Sequence, residues 1–416
     1  MLGFSFLTRF PVAPVITGTA TEPPPRHFQL RCALAFAAPI GVNGIILPYF
    51  PVWLDTLTFS EFEIGMILAI PMIVRILAAP VVGAIADRLQ ERSKVLVWSG
   101  VLSLMTALAL FAVTGFWPVL IVYALQAAFF AAYVPVVDSI AVSGVRRWGF
   151  QYGALRVWGS VGFVAMSLLM GQLIGIWGGG VLPVVAAIAF AMTVVAAFAA
   201  PRIGRKRQPP AAGHGPWRWG ALGRLDLHML MIGACVAQAS HAMFYAFGAI
   251  HWQHMGFDGV EIGILWSMAV ISEIAVFFAA AFITRHLSPW TMMRLGCAVA
   301  IVRWMIFPMD LGFWGYLLLQ STHAFTFTFL HIGIQQKLVE TVREEQETSM
   351  QGTYFFYNGG FLALATFLSG ALYRSYGVES FPAMALTALL GLLLLALAAW
   401  LQPQTSPVGG KSVEPS

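Results

Sequence analysis

The sequence is poor in charge. Of its 416 residues, 23 are Lys or Arg and 18 are Asp or Glu, together 10%, whereas a soluble domain carries roughly 25% because its surface faces water. Hydrophobic residues make up 59%, and mean hydropathy is +0.79. So few charges cannot cover a 45.2 kDa globule, so lipid must be the solvent for most of the surface. Cysteine is scarce too. Cys32, Cys235 and Cys297 lie in apolar segments without metal-type spacing, which excludes a disulfide framework and predicts buried packing residues. The net charge of +5 comes without a clustered basic face, so nucleic acid is not an expected partner. Gly178-Gly179-Gly180 precedes no GKS or GKT, so it reads as a turn and not as a phosphate loop. Nothing suggests a catalytic domain, a cofactor or a metal, and the chain is not expected to be an enzyme.

What is present is a series of apolar stretches, near 31–53, 63–86, 95–115, 118–143, 153–175, 181–200, 226–250, 261–284, 291–309, 312–337, 350–373 and 380–401. Each approaches the ~20 residues a helix needs to cross a ~30 Å hydrocarbon core, and helix is the backbone form that satisfies its own polar groups there. The expected architecture is all-α, with twelve transmembrane helices. Residues 1–30, rich in proline and lacking a secretory-signal pattern, read as a disordered cytoplasmic arm. With the N-terminus cytoplasmic, 19 of the 23 basic residues fall on the cytoplasmic side, so both termini are expected inside. Residues 403–416 then form a cytoplasmic tail.

Residues 201–225 carry Arg202, Arg205, Lys206 and Arg207, then Pro209, Pro210, Gly213, Gly215 and Pro216. This reads as a flexible basic linker between two six-helix bundles, 31–200 and 226–402. Tryptophans near helix ends, including Trp53, Trp117, Trp177 and Trp252, suit interfacial anchoring. His251 and His254 are expected to be solvated near the outer surface.

Ionisable residues inside a membrane are costly, at least ~2.5–3.5 kcal/mol each, and therefore functional candidates. They are Arg75, Asp138, Arg156, Glu273 and Arg303, with His241, His323 and His331. Glu273 with Arg303 supplies a buried carboxylate beside a cation, a pair suited to carrying a proton, with His323 as a hydrogen-bond partner or relay. The alternative is a permanently neutralised bridge between helices. Arg75 and Arg156 could fix a carboxylate, since guanidinium forks match it at two points, while Phe163, Trp158, Tyr49 and Tyr133 could contact an apolar ring. Asp138 with Arg156 is either a substrate site or a packing or gate pair. His241 and Gln238 could line the cavity, and His331 more often bonds a neighbouring helix.

The loop after the second stretch, Gly83-Ala84-Ile85-Ala86-Asp87-Arg88 followed by Arg92 and Lys94, resembles the signature of the major facilitator superfamily. Gln90 and Glu91 depart from it. The resemblance implies the major facilitator fold and a cytoplasmic gate of Gly83, Asp87, Arg88 and Arg92, in which the glycine permits close packing and Asp87 meets the positive end of a helix. Pro48-Tyr49-Phe50-Pro51-Val52-Trp53-Leu54, Asp138, the run from Tyr152 to Phe163, Arg303 and His323 resemble the lactose-permease branch, in which an acid on helix 4 and an arginine on helix 5 bind substrate. Phe163 stands where that branch has a stacking tryptophan. Gln320 and Thr326 stand where it has a lysine and a proton-carrying glutamate, and Glu273 aligns about one turn from its helix-8 glutamate. Arg75 has no counterpart there, and its surroundings resemble the phenylpropionate permeases.

The resemblance implies a monomeric, proton-coupled symporter in the cytoplasmic membrane, taking a small organic solute such as an aromatic carboxylate. Its partners are that solute, protons and lipid. A sugar or nucleoside symporter, a drug efflux protein, and a non-transporting receptor or assembly partner remain as alternatives.

Overall fold

The computed structural model describes residues 23–88, 91, 93–203, 224–341 and 344–402, with the backbone alone described at 84–88 and 344–349. Most of the expected arm, linker and tail, and Arg92 of the expected gate, lie outside the described residues.

Among the described residues, fifteen α-helices build twelve spans. Spans 1 to 6 are Phe28–Thr56, Glu61–Arg88, Ser93–Ala109, the pair Phe116–Phe130 and Tyr133–Trp148, Tyr152–Trp177, and Leu182–Ala199. Span 7 is the pair Leu225–Ala239 and Ala242–His254, span 8 is Gly259–His286, and span 9 is Pro289–Ile306. Span 10 runs through Gly312–Ser321, a π-helical segment Ala324–Phe329 and Leu330–Thr341. Spans 11 and 12 are Glu344–Tyr376 and Pro382–Leu401. Among the described residues, ten of the spans have the length and apolarity to cross a bilayer by themselves. Span 9 is only 18 residues long and carries Arg294 and Arg303, and span 10 is split into three pieces.

The breaks have local causes. In span 4 the helix stops at Ala131-Ala132 ahead of Pro135, whose ring has no N–H to donate and crowds the carbonyl four residues back. In span 7 it stops at Ser240-His241. There the Ser240 hydroxyl donates to the Ala237 carbonyl at 2.7 Å, and the His241 ring bonds the Gln238 carbonyl at 3.0 Å. Side chains thus take over backbone acceptors that the helix ladder would otherwise use.

Packing repeats with a shift of six spans. Span 1 packs on 5 and 6, span 3 on 4 and 6, and span 2 on 4. Correspondingly, span 7 packs on 11 and 12, span 9 on 10 and 12, and span 8 on 10. The halves meet through 2 with 11, 5 with 8, and 1 with 7; exchanging the halves turns the first of these contacts into the second and maps the third onto itself. This is a pair of six-span bundles about a pseudo-twofold axis.

Two of the inter-half crossings, 2 with 11 and 5 with 8, are built on glycine. A Cβ added at Gly65 of span 2 would run into Gly370 of span 11, and one at Gly171 of span 5 would run into Gly259 of span 8. Missing side chains let the backbones touch. Tyr49, fully buried on span 1, ties the second crossing: its hydroxyl lies 3.1 Å from the Ser167 carbonyl and 3.1 Å from that of Gly259. These contacts lie towards the side of the membrane away from residues 28 and 401. Towards the side that carries those ends, Gly83, Gly153 and Gly352 would each accept a Cβ with nothing within 4 Å. Among the described residues, the close glycine contacts between the halves therefore lie on the far side.

Candidate functional site

The C-terminal half holds a buried hydrogen-bonded network across spans 7 to 10. Arg303 of span 9 is 1% exposed. Its Nη1 donates to His323 Nδ1 at 3.2 Å and to Thr326 Oγ1 at 3.3 Å, and its Nη2 donates to Gln320 Oε1 at 2.6 Å. The guanidinium also lies over the Trp304 ring at 4.8 Å and the Phe244 ring at 5.5 Å, the arrangement of a cation–π contact. On its far ring nitrogen, His323 Nε2 meets Glu273 Oε1 of span 8 at 2.9 Å.

Arginine has no acceptor, so His323 must offer Nδ1 as a lone pair, and the proton of its neutral ring sits on Nε2, facing the Glu273 carboxylate. The ring thus joins cation to carboxylate. The network continues through Thr326. His241 Nε2 lies 2.9 Å from Thr326 Oγ1, and His241 Nδ1 lies 3.0 Å from the Gln238 carbonyl. Gln238 in turn donates to the Tyr354 hydroxyl of span 11 at 3.1 Å. Residues 324–329 of span 10 are π-helical. Such single-turn π segments are frequent at functional sites because they re-aim side chains within a helix. The His323, Phe327 and His331 rings form a parallel column beside that segment, with centroids 5.5 and 6.3 Å apart.

The N-terminal half is arranged differently. Arg75 of span 2 is accessible to solvent and yet lies deep among protein atoms, interacting electrostatically with Tyr123 of span 4. That combination marks an open cavity and not a lipid-facing surface. Among the described residues no hydrogen bond or ion pair holds it. Tyr123 stacks on Phe50 with ring centroids 4.1 Å apart, which fixes one wall. Lower in the same half, Tyr152 donates to Asp138 Oδ1 at 2.8 Å, and Arg156 Nε stands 4.0 Å from the same oxygen. The Arg156 and Asp138 side chains are 38% and 35% exposed, and the Arg156 guanidinium lies over the Phe36 ring at 5.5 Å.

Several sequence expectations meet a different geometry. Glu273 and Arg303 do not pair directly: His323 stands between them. His241 is fully buried with both ring nitrogens engaged, so it belongs to the network and does not line the cavity. Tyr49 is consumed by the inter-half seam. Phe163, 7% exposed, packs on span 1, where its backbone closes over Gly44, and Tyr133 is buried with its hydroxyl on the Thr193 carbonyl. None of these three rings is open to a ligand here. Gly83 makes no close packing in this conformation, and the Asp87 and Arg88 side chains lie outside the described residues.

His251 is not solvated but buried, 3.3 Å from the Tyr316 hydroxyl. Trp53 and Trp252 are buried at 4% and 0%, whereas Trp117 and Trp177 are exposed as interfacial anchors should be. The three cysteines are free and buried. Sequence reasoning missed Tyr123 as the neighbour of Arg75 and the bridging use of Thr326. The polar side chain of Thr326 in an apolar run was the available signal for the second.

The sequence matches the profile described as the MFS_1 like family over residues 38–384. A protein of Escherichia coli (strain K12) described as a probable 3-phenylpropionic acid transporter is 30% identical over 362 residues, 84% of this chain and 93% of the relative. The lactose permease of Citrobacter freundii is more distant, 26% identical over 140 residues, 31% of this chain and 33% of the relative. In three dimensions the chain resembles the crystal structure of the nucleoside transporter NupG with a TM-score of 0.78. At 16% identity that likeness covers 90% of this chain and 99% of that one, and it shows the fold. Twelve spans in two equivalent halves, and a family match along most of the chain, make this protein a multi-pass membrane transporter of the major facilitator superfamily, in the MFS_1 like family.

Proposed function

We propose that the protein is a proton-coupled symporter of a small aromatic carboxylate, of the 3-phenylpropionate kind, working by alternating access between halves 31–200 and 226–402. The observation that carries this reading is Arg75, a cation inside the membrane, open to the cavity and without an ion-pair partner among the described residues. Leaving such a charge unpaired costs several kcal/mol at mid-bilayer unless a ligand or water meets it. A carboxylate meets it at two points, and the relative named for 3-phenylpropionic acid supports the aromatic acid.

Proton coupling is assigned to Glu273, His323 and Arg303. One imidazole cannot serve Arg303 as an acceptor once a proton occupies both its nitrogens. Protonation of His323 therefore expels Arg303 from Nδ1 while leaving Nε2–H on Glu273, and protonation of Glu273 removes the anion that the ring serves. Either event rearranges the contact between spans 8, 9 and 10, which is how a proton biases a two-state carrier. With the termini in the cytoplasm of a cell bounded by its inner membrane, the glycine-closed side of the molecule faces outward and the cavity opens inward. The unit is the monomer.

The test uses purified protein in vesicles with an alkaline interior and radiolabelled 3-phenylpropionate, with uptake into protein-free vesicles subtracted because the neutral acid diffuses. Net accumulation is expected, with the unlabelled acid competing at least ~10-fold better than its neutral amide, the difference of one charge-assisted hydrogen bond. Equal competition by acid and amide, or uptake indifferent to the gradient, would contradict the reading.

A further inference from the structure

The network leaves one question that the coupling residues do not answer: what holds Arg303 against a neutral imidazole. A guanidinium is drawn to carboxylates, and the nearby carboxylate, Glu273, is reached only through the His323 ring. Its hydrogen-bonding partners are all uncharged, namely His323 Nδ1, Thr326 Oγ1 and Gln320 Oε1. Among the described residues its Nε has no partner, and neither has the Gln320 amide nitrogen. The orientation of Arg303 is therefore not over-determined by charge pairing, and each neutral acceptor matters.

Thr326 is the acceptor whose direction is controlled from elsewhere. A hydroxyl has one proton and can turn it towards any acceptor in reach. The alternatives within reach are His241 Nε2 at 2.9 Å and the span's own His323 carbonyl at 3.3 Å. His241 is a lone-pair acceptor at Nε2 because the Gln238 carbonyl, 3.0 Å from Nδ1, can only accept and so fixes the ring proton there. That assignment makes the chain directional. The Gln238 carbonyl fixes the His241 tautomer, and His241 Nε2 takes the Thr326 hydroxyl proton. The Thr326 lone pairs then face Arg303, Arg303 donates to His323 Nδ1, and His323 Nε2–H faces Glu273. Every bond has one donor and one acceptor, and all members except Glu273 are at least nine-tenths buried by exposure.

We infer that His241 and Thr326 are positioning residues for coupling: together they hold Arg303 on His323, so that protonation of the His323–Glu273 pair is felt by spans 7 and 9 as well as 8 and 10. The inference rests on the proton-coupled reading. The charged and titratable groups facing this chain are Glu273 and His331, Tyr245 beside Glu273 and Arg303, and Tyr354 behind Gln238. Neither His241 nor Thr326 touches substrate in this account, so the two should separate coupling from binding.

The experiment compares two fluxes in the same vesicles, both with labelled 3-phenylpropionate. Uphill accumulation driven by a pH gradient requires proton movement. Counterflow, the exchange of external label for internal unlabelled acid, requires binding and alternating access without net proton transfer. Thr326→Val removes the hydroxyl while keeping the shape, and should lower initial uphill uptake roughly 10-fold or more, the loss of a hydrogen bond to a charged group, with counterflow within about twofold of the parent on the additivity expected of sites that do not touch substrate. Thr326→Ser should restore uphill uptake. His241→Phe should reproduce the Thr326→Val phenotype, and His241→Gln, which offers an amide oxygen to the hydroxyl, should restore part of it.

Unchanged uphill uptake in Thr326→Val would overturn the inference, as would loss of counterflow in the same proportion without rescue by Thr326→Ser. That last pattern means a packing role. The parent is measured first. If it exchanges label but shows no gradient-driven accumulation, the coupling reading fails and takes this inference with it, whereas a coupled parent with a fully coupled Thr326→Val variant defeats the inference alone.

Discussion

The two halves share one packing plan, span for span, and differ in how they treat charge. In the C-terminal half Arg303 is 1% exposed, bonded by three side chains and stacked on two aromatic rings. In the N-terminal half Arg156 and Asp138 stand 4.0 Å apart with more than a third of each side chain exposed, and Arg75 faces the cavity without an ion pair among the described residues. Burying a charge is tolerable only when other groups replace the water it loses, and the three side-chain bonds and two rings around Arg303 make the C-terminal arrangement committed and internal. The N-terminal arrangement keeps its donors available. The proposed proton-coupled carrier needs both kinds of site, one to respond to protons and one to receive a solute, and the pseudo-twofold repeat supplies two equivalent scaffolds on which to place them.

The comparison can be broken from either side. The largest effect is expected from Arg303→Ala, which strips a common donor from His323, Thr326 and Gln320 and leaves a buried carboxylate–imidazole pair without its cation. Breaking a buried charged network in this way costs about 3–5 kcal/mol, visible as a lowered unfolding temperature of the detergent-solubilised protein. Arg75→Ala comes next and should behave in the opposite way. With no internal bond to lose, thermal stability should hold, while affinity for 3-phenylpropionate falls by about 10- to 150-fold, the value of a charge-assisted contact of 1.5–3 kcal/mol. Thermal-shift titration with the acid reads both quantities at once. If Arg75→Ala destabilised the protein as much as Arg303→Ala, the distinction between the halves would disappear. The smallest effect is expected of Asp138→Asn. Its ion pair is half-solvated and loose, worth about 0–1 kcal/mol, so stability should be unaltered within that range, and the Tyr152 hydroxyl keeps an amide oxygen as its acceptor.

Much of the fold was legible in the sequence, because apolar length is a property of single segments. All twelve stretches became spans, within a few residues at most ends. The intramembrane charges were legible for the same reason: an arginine in an apolar run is conspicuous wherever it packs. What could not be read was which face each group presents. His241 was expected at the cavity and lies in the network, because the local break at Ser240-His241 turns its ring inward. Tyr49, Tyr133 and Phe163 were expected to meet a ligand and instead meet glycine or backbone carbonyls on neighbouring spans, contacts set by helix crossings that no linear pattern records. His251 and Trp252 sit near a helix end, where sequence position suggests water, but the aromatic cluster with Phe307 and Tyr316 covers them. The seam between halves was invisible too, since Gly65 and Gly370, or Gly171 and Gly259, are ordinary glycines until two distant spans cross.

The central claim is that the buried network of the C-terminal half couples solute movement to protons while the N-terminal half holds the solute. Glu273→Gln tests it most directly, because it keeps an acceptor oxygen for His323 Nε2–H while removing the titratable acid. In vesicles with an alkaline interior, the account predicts that the variant exchanges labelled 3-phenylpropionate by counterflow at near the parent rate and no longer accumulates it above the protein-free control. Gradient-driven accumulation equal to that of the parent would contradict it.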